Sequence, residues 1–299
     1  MIEMSLVRVS KLSKDYGYDT GIYDLTFQIE KGETFGLMGP QGSGKTTIIK
    51  ILMGLVRPDH GRCAIAGRDC YKKSEELKKV IGYLPEDPKF SEEMTGLSMI
   101  KFQAELRRKK GLERAFLLAD RFGLNLHQKI ETMTEETKQK LAILCALWYD
   151  SPVYLLDQPM RRLDQIFQNR FMELLLEEKE RGKTIVIASH IFEDLERICD
   201  RVAVLREGRL AALKEIEDLR YSKRKAHVVV FQTEREAIRF SKQEEFFVSE
   251  QEGCRLTISM DGEMKPLLER LLEYKIDKIE PQVRDIEEAF VCYYGGGKS

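Results

Sequence analysis

The chain has 299 residues, of which 42% are hydrophobic, and this is enough apolar material for one large core or two smaller ones. Because 49 Lys and Arg residues nearly balance 50 Asp and Glu residues, the composition lacks the basic surplus of a nucleic-acid-binding protein, and we expect no direct nucleic-acid partner. No apolar run is long enough to span a bilayer and residues 1–10 carry no secretory signal, so we expect a soluble protein with no membrane insertion of its own.

Predicted strands and helices alternate through most of the chain. Strands are predicted at residues 4–9, 25–29 and 34–38, a helix at 47–55, and short strands at 63–65 and 79–83. Apolar spacing of three to four residues predicts helices at 98–108, 113–122 and 135–148, within a helical segment of about residues 88–150. A strand at 152–157, a helix at 165–181, a strand at 184–188, a helix at 191–199 and two strands around Glu207 follow. This alternation indicates a mainly parallel sheet with helices on both faces.

The C-terminal part predicts a second, smaller domain. The charged residues 215–225 predict a linker, and we place the domain boundary between residues 218 and 219. The predicted order beyond it is strand 227–231, helix 234–240, strands 246–249 and 255–259, helix 263–274, strand 276–280 and helix 286–293. This β-α-β-β-α-β order is the split arrangement of an α+β ferredoxin-like domain. We predict a regulatory or docking role for residues 219–294, and a flexible tail at residues 295–299.

The six cysteines show no CxxC spacing and lie mostly in apolar surroundings. They are Cys63, Cys70, Cys145, Cys199, Cys254 and Cys292. This usage predicts buried free thiols in a reducing cytosol, with a metal or disulfide role as the alternative.

Residues 39–47 are the most informative segment of the chain. They match the phosphate-binding pattern G-x-x-x-x-G-K-[ST] and comprise Gly39, Pro40, Gln41, Gly42, Ser43, Gly44, Lys45, Thr46 and Thr47. Glycines let backbone N–H groups wrap around phosphate oxygens at the start of the helix that follows. In such loops the lysine reaches the β- and γ-phosphates and the hydroxyl that follows it ligates Mg²⁺. The sequence therefore predicts a nucleoside triphosphate site.

Four further residues accompany this loop in a fixed order. They are Tyr16 in an early loop, Glu86 after the strand at 79–83, Asp157 at the end of its strand, and His190 after the strand at 184–188. With the phosphate loop, they make the chain resemble the nucleotide-binding subunit of ABC transporters from residue 4 to about residue 215. The C-terminal extension resembles that of the subgroup serving ABC-2-type bacterial exporters. The resemblance implies an α/β P-loop NTPase with a RecA-like parallel sheet core, N-terminal antiparallel strands and an inserted helical subdomain.

The resemblance also implies a role for each residue. Tyr16 occupies the place of an aromatic residue that stacks on adenine. Asp157 matches the acid that holds Mg²⁺, and Glu86, where the family most often has Gln, keeps an oxygen able to ligate the metal. His190 matches the histidine that touches the γ-phosphate. ATP and Mg²⁺ are thus the expected cofactors.

One departure from the family pattern concerns hydrolysis. The family's catalytic glutamate follows the Mg²⁺-binding acid, and here that residue is Gln158. An amide cannot take the proton of the attacking water, and losing a general base costs about 10²–10⁴-fold in rate. An amide of nearly the same shape leaves nucleotide binding largely intact. Two interpretations stay open, a natural substitution or one introduced to trap the ATP-bound state.

The second departure concerns the signature segment, which is Leu-Ser-Gly-Gly-Gln in most of the family. Here it consists of Met133, Thr134, Glu135, Glu136 and Thr137. The acids replace glycines that approach the partner subunit's γ-phosphate, and each would add an unscreened repulsion of several kcal/mol at about 4 Å. Arg161 and Arg162 likewise replace small residues ahead of Asp164, the expected interface acid. We interpret these departures as natural.

In the family, two such subunits enclose two ATP molecules. The resemblance therefore implies a second ATP-binding subunit as a partner, either a copy of this chain or a different one. It also implies an integral membrane permease, which would hold the chain at the cytoplasmic face of the cell membrane. We expect the ATPase subunit of an exporter with low turnover. The alternatives are a non-transport clamp or sensor module, and a small-molecule kinase in which Tyr16 and His190 would have no role.

Overall fold

The computed structural model describes residues 5–18, 20–222, 225–243, 245–260 and 264–282, and the chain divides into two units between residues 216 and 217. The strands of the first unit are β1 (Val7–Asp15), β2 (Gly21–Ile29), β3 (Thr34–Met38), β4 (His60–Ile65), β5 (Arg68–Asp69), β6 (Ile81–Leu84), β7 (Val153–Asp157), β8 (Thr184–Ser189), β9 (Arg201–Arg206) and β10 (Arg209–Glu215). Its helices are α1 (Lys45–Leu52), α2 (Ser74–Lys78), α3 (Gly96–Arg107), α4 (Glu113–Phe122), α5 (Glu135–Leu147), α6 (Gln165–Glu180) and α7 (Phe192–Glu196).

The larger sheet of this unit has the strand order β10-β9-β3-β8-β7-β6. Its strands from β9 to β6 run parallel, and β10 returns antiparallel to β9. Every residue of β3, β7 and β8 is buried, as expected for continuous apolar strands covered on both faces. The smaller sheet, β2-β1-β4-β5, is antiparallel. These two sheets confirm the predicted parallel core and N-terminal antiparallel strands.

Helix α1 packs into the hydrophobic core that both sheets share. Its buried apolar residues are Ile48, Ile49, Ile51 and Leu52. They belong to one cluster with Val9 and Phe27 of the smaller sheet and Leu155 and Val186 of the larger one. A helix held from two sides in this way has a fixed position, and so has its first residue, Lys45.

The inserted helical segment connects to the edge of the larger sheet through α5. From Leu141 to its end this helix is buried, and it lies against β6. Gly82 of β6 makes this approach possible, because a Cβ atom there would lie 2.4 Å from the Ala146 carbonyl oxygen. The helices predicted at 98–108, 113–122 and 135–148 are thus confirmed as α3, α4 and α5 within two residues at each end.

The division between the two units falls inside the predicted linker at residues 215–225, but most of this segment is helical, which was not predicted. Helix α8 (Ile216–Ser222) occupies most of this segment, and a strand begins at Lys225. Ile216 and Leu219 are both buried, and their spacing of three residues puts them on one side of the helix. Two apolar residues among many charges give too weak a periodic signal for a prediction. Strand β5, with two residues, and helix α2, with five, were also missed, because elements this short give no periodic signal.

The second unit is a four-stranded antiparallel sheet with two helices. It consists of β11 (Lys225–Phe231), α9 (Glu234–Ser241), β12 (Phe247–Glu252), β13 (Arg255–Met260), α10 (Lys265–Leu271) and β14 (Ile276–Gln282), in the sheet order β12-β13-β11-β14. Phe231, Phe240 and Tyr274 form aromatic pairs in its core. The observed order matches the predicted β-α-β-β-α-β pattern. The predicted helix at 286–293 and tail at 295–299 lie outside the described residues.

Two predictions from composition can be compared with the structure. Cys63, Cys70, Cys145 and Cys199 are buried free thiols and Cys254 is a half-buried one, whereas Cys292 lies outside the described residues. Within the ranges that the structure describes, no helix combines the length and apolar content needed to cross a bilayer.

A buried ion pair supports α6. The Glu178 carboxylate, 1% exposed, lies 2.7 Å from Arg114 Nη2 and 2.7 Å from Arg181 Nη1, and it accepts a hydrogen bond from the Tyr154 hydroxyl at 3.2 Å. These contacts join α4, β7 and α6.

We predict that Glu178→Ala lowers the free energy of unfolding by roughly 2–3 kcal/mol, because it leaves the partners of a buried charge unpaired. The value stays below that of a fully buried pair because both arginines are partly exposed and can turn to water. Glu177→Ala, which removes an exposed neighbour paired with Arg121, is the matched control and should cost less than about 1 kcal/mol. Urea unfolding measures both. Equal losses would contradict a structural role for the buried pair.

Candidate functional site

The phosphate loop joins the end of β3 to the start of α1, and atoms of β9 and β2 lie close to its glycines. A Cβ atom on Gly39 would lie 2.3 Å from the Leu205 carbonyl oxygen. Gly44 has a φ of +101°, and a Cβ atom there would lie 2.4 Å from Cγ2 of Ile22. Only glycine fits at these two positions. The loop therefore lies tightly between β9 and β2.

Lys45 is folded into this loop. Its Nζ donates to the carbonyl oxygens of Gly39 at 2.7 Å and Pro40 at 2.8 Å, and to the Ser43 hydroxyl at 3.3 Å. The residue is 4% exposed, and this burial lowers its pKa, while Asp157 and Glu86 raise it in part. The ammonium is thus held at the centre of the loop. It can exchange its hydrogen bonds to these neutral oxygens for stronger ones to charged phosphate oxygens.

Asp157 ends β7 beside the same loop and is unusual among the buried acids. It is 1% exposed, and neither carboxylate oxygen has a hydrogen-bond partner among the described residues. Burial raises the pKa of Asp157 to about 6. The neighbouring Thr46 hydroxyl and the Lys45 ammonium lower this pKa, and the Glu86 charge raises it further. A buried carboxylate without partners is costly unless a cation completes it.

The donor set around Asp157 fits Mg²⁺. Thr46 Oγ1 donates to Glu86 Oε2 at 3.3 Å, so a hydroxyl and a second carboxylate lie beside the unpartnered acid. Mg²⁺ prefers hard oxygen ligands and commonly takes one or two carboxylates, completing its shell with water and phosphate oxygens. The residues that the sequence suggested as metal ligands, Thr46, Glu86 and Asp157, are therefore brought together in a form that suits this ion.

Gln158 and His190 meet because β7 and β8 are parallel neighbours. Asp157 pairs with Ala188 in the sheet, and the Gln158 N–H donates to the Ala188 carbonyl at 2.9 Å. Gln158 takes a left-handed conformation with φ of +50°, and its Oε1 lies 2.9 Å from His190 Nδ1. An amide oxygen facing Nδ1 accepts the imidazole proton there, so Gln158 orients the exposed ring of His190.

The signature segment does not contact the phosphate loop of its own chain in any described hydrogen bond or ion pair. Thr134 caps α5 by accepting from the Thr137 N–H at 3.2 Å. Glu135 lies 3.2 Å from Arg162 Nη1 and 3.5 Å from Lys138 Nζ, and Glu136 lies 2.5 Å from Lys140 Nζ. Each acid at this helix start therefore has a cation partner within its own chain, and the expected repulsion of a triphosphate stays a prediction.

The segment 159–164 is held from both sides. Gln139 Nε2 donates to the Pro159 carbonyl at 3.3 Å, and Gln168 Nε2 donates to the carbonyls of Met160 at 3.2 Å and Leu163 at 3.1 Å. Asp164 caps α6 by accepting from the Phe167 N–H at 2.7 Å, and this hydrogen bond lowers its pKa. Sequence reasoning missed both glutamines as supports, because a buried amide has no pattern that distinguishes it from an exposed one.

Two arginines of this segment reach the loop after β6. Arg161 Nη1 lies 3.4 Å from Glu86 Oε1, and Arg162 Nη1 lies 3.4 Å from Asp87 Oδ1. The residues that depart from the family pattern are thus in contact with one another. No signal in the sequence connects positions 86 and 161.

Tyr16 lies apart from these contacts, in the loop before β2. Its ring is 52% exposed and carries the Lys14 ammonium 5.5 Å from its centroid. Ile22, close to the start of β2, is the residue that touches Gly44. An adenine-stacking role for Tyr16 stays a prediction.

We predict that Asp157→Asn stabilises the nucleotide-free chain in a pH-dependent way. Because burial raises the folded-state pKa from 3.8 to about 6, the protonated acid is favoured in the folded state and the resulting stability is lost as pH rises through that interval. The variant should therefore match the parent near pH 4 and gain roughly 2–3 kcal/mol in free energy of unfolding near pH 7. Urea unfolding in EDTA measures this, with the exposed Asp120→Asn as control. An equal difference at both pH values would disprove it.

Comparison with known proteins agrees with this geometry. The ABC transporter family profile matches residues 22–161. YdbJ, an ABC transporter ATP-binding protein of Bacillus subtilis, is 26% identical over 292 residues, 96% of this chain and 94% of its own length. The molybdate/tungstate import ATP-binding protein WtpC of Pyrococcus abyssi is 33% identical over 220 residues, 72% of this chain and 63% of its own.

Two further proteins are similar over more than two thirds of their own length. The Nod factor export ATP-binding protein I of Rhizobium etli is 30% identical over 221 residues, 72% of this chain and 70% of its own. A solved structure of the ATP-binding subunit of an ABC transporter is 30% identical with a TM-score of 0.67, over 72% of this chain and 92% of its own. The phosphate loop, the buried acid and these similarities lead to one conclusion. The chain belongs to the ABC transporter family and contains its ATP-binding, ATP-hydrolysing domain.

Proposed function

We propose that this chain is the ATP-binding subunit of an ABC exporter, which binds Mg-ATP at an interface with a second ATP-binding subunit and drives a separate membrane permease. The unpartnered Asp157 carboxylate beside a glycine-shaped phosphate loop carries this proposal. Lys45 would bind the β- and γ-phosphates, and Thr46, Asp157 and Glu86 would hold Mg²⁺. When bound, the metal neutralises phosphate charge and fixes the oxygens of the β- and γ-phosphates.

Each remaining site residue has a proposed part. The exposed ring of Tyr16 would stack on adenine, and His190 would touch the γ-phosphate. Thr134, Glu135, Glu136 and Asp164 would face the nucleotide of the opposite subunit. The pairing of Glu135 with Lys138 and of Glu136 with Lys140 supports this, because a paired acid can approach a triphosphate that a bare acid would repel.

The transport direction rests on the second unit. The import protein WtpC and the Nod factor export protein each match 72% of this chain, so these matches do not separate the two directions. The resemblance of the C-terminal extension to that of ABC-2-type exporters favours export. Co-purification with a polytopic membrane protein would support the permease. ATP binding without such a partner would favour the clamp or sensor alternative.

We predict that Lys45→Ala weakens Mg-ATP binding by about 10–150-fold, since it removes charge-assisted hydrogen bonds to phosphate. Calorimetric titration of the full chain with Mg-ATP measures this affinity. Lys72→Ala, which removes an exposed lysine from the loop before α2, is the matched control and should bind as the parent does. A thermal melt without nucleotide shows that Lys45→Ala is folded. Undiminished binding by the folded variant would refute the proposed site.

We predict that the chain hydrolyses ATP slowly and that Gln158→Glu raises turnover by about 10²–10⁴-fold, because a carboxylate at this position can accept the proton of the attacking water. Phosphate release under saturating Mg-ATP compares the two proteins. Mg-ATP affinity, which does not need a general base, should differ little and serves as the control. Turnover by the parent chain equal to that of the variant would contradict weakened hydrolysis.

A further inference from the structure

Glu86 is shared between two partners on opposite sides. Its Oε2 accepts from the Thr46 hydroxyl at 3.3 Å, and its Oε1 lies 3.4 Å from Arg161 Nη1. Both distances lie near the upper limit for such contacts, so neither partner holds the carboxylate tightly. Arg161 is 48% exposed and Glu86 35%, and exposed ion pairs of this kind contribute little to stability. Fold stability therefore does not explain the contact.

Arg161 adds a positive charge to a site in which Lys45 and Lys50 already act on Asp157. Asp157 and Glu86 are acids, and Lys45 is the buried cation that faces both. The Arg161 guanidinium supplies a further positive charge, at the outer side of Glu86. Among the ion pairs of the described residues, Arg161 is the cation that contacts Glu86 directly, whereas Lys45 is shared with Asp157.

Arg161 is well placed to be released. It lies in the segment 159–164, whose backbone carbonyls accept hydrogen bonds from Gln139 and Gln168. These hydrogen bonds do not involve the Arg161 side chain, so they hold the segment when the guanidinium leaves Glu86. Arg162, the next residue, has the same charge but contacts Asp87 and Glu135 instead of the site. The two arginines differ chiefly in which carboxylate they touch.

We propose that Arg161 competes with Mg²⁺ for Glu86, so that it tunes the metal affinity of the site and is released when Mg-nucleotide binds. The inference rests on the proposed function, because it requires that Thr46, Asp157 and Glu86 receive the metal. A dication beside the carboxylate repels the guanidinium and takes over its role as counter-charge. The freed arginine lies on the same segment as Arg162 and Asp164, so loading of the site changes the charge that this segment presents.

The test is the affinity for a non-hydrolysable ATP analogue, measured by calorimetry at a series of free Mg²⁺ concentrations with the full chain. Arg161→Ala should lower the Mg²⁺ concentration for half-maximal binding by about three- to tenfold, and Arg161→Lys should restore most of the parent behaviour. Arg162→Ala is the matched control and should leave the Mg²⁺ dependence unchanged. In a Glu86→Gln background, Arg161→Ala should have no further effect.

Equal shifts in Arg161→Ala and Arg162→Ala would show general electrostatics and overturn the competition. A full effect of Arg161→Ala in the Glu86→Gln background would overturn it too. In either outcome the chain still binds the nucleotide, so the proposed function would stand. Failure of the parent chain to bind the analogue in an Mg²⁺-dependent way would refute the proposed function, and the competition with it.

Discussion

The burial of the apolar face of α1 determines where chemistry can take place in the first unit. Because this helix packs against both sheets, its first turn and the phosphate loop have one possible location, at the carboxyl end of β3. The parallel sheet then brings the ends of β6, β7 and β8 to the same edge, which is where ligands bind in open α/β sheets. Glu86 and His190 come just after β6 and β8 in this edge region, and Asp157 is the last residue of β7. One packing constraint and one strand order therefore assemble groups from four distant stretches of sequence.

Much of this arrangement was predictable from sequence because its signals are local. Continuous apolar runs predicted β3, β7 and β8, and the glycines and Lys45 predicted the loop between β3 and α1. The order of strands was not available from such patterns, and neither were contacts between side chains far apart in the chain. The pairs Arg161–Glu86 and Arg162–Glu135 depend on rotamers and on the paths of loops. The spacing of apolar residues in the sequence carries no information about either. Helix α8 was missed because its two buried apolar residues, Ile216 and Leu219, lie among charged residues and give too weak a periodic signal.

The charged departures from the family pattern behave as a set in the folded chain. Arg161 contacts the acid at position 86, and Arg162 bridges Asp87 and Glu135. Arg161 with Glu86, and Arg162 with Glu135, are charged residues that replace uncharged ones and form ion pairs with each other. Such paired replacements agree with a natural origin. Gln158 stands outside this set. Its amide oxygen contacts His190, a contact that a glutamate oxygen would make equally well, so the pairing says nothing about how Gln158 arose.

Two buried acids in this unit show how stability and function separate. Asp157 and Glu178 are each 1% exposed. Glu178 is surrounded by two arginines and a tyrosine hydroxyl, so its burial is offset inside the chain and its role ends with packing. Asp157 has no such partner, and its raised pKa records the cost of holding a charge there. Any internal partner added to Asp157 would stabilise the fold but would occupy the oxygens that a metal needs. The unsatisfied carboxylate is therefore best understood as stability given up to keep a cation site open.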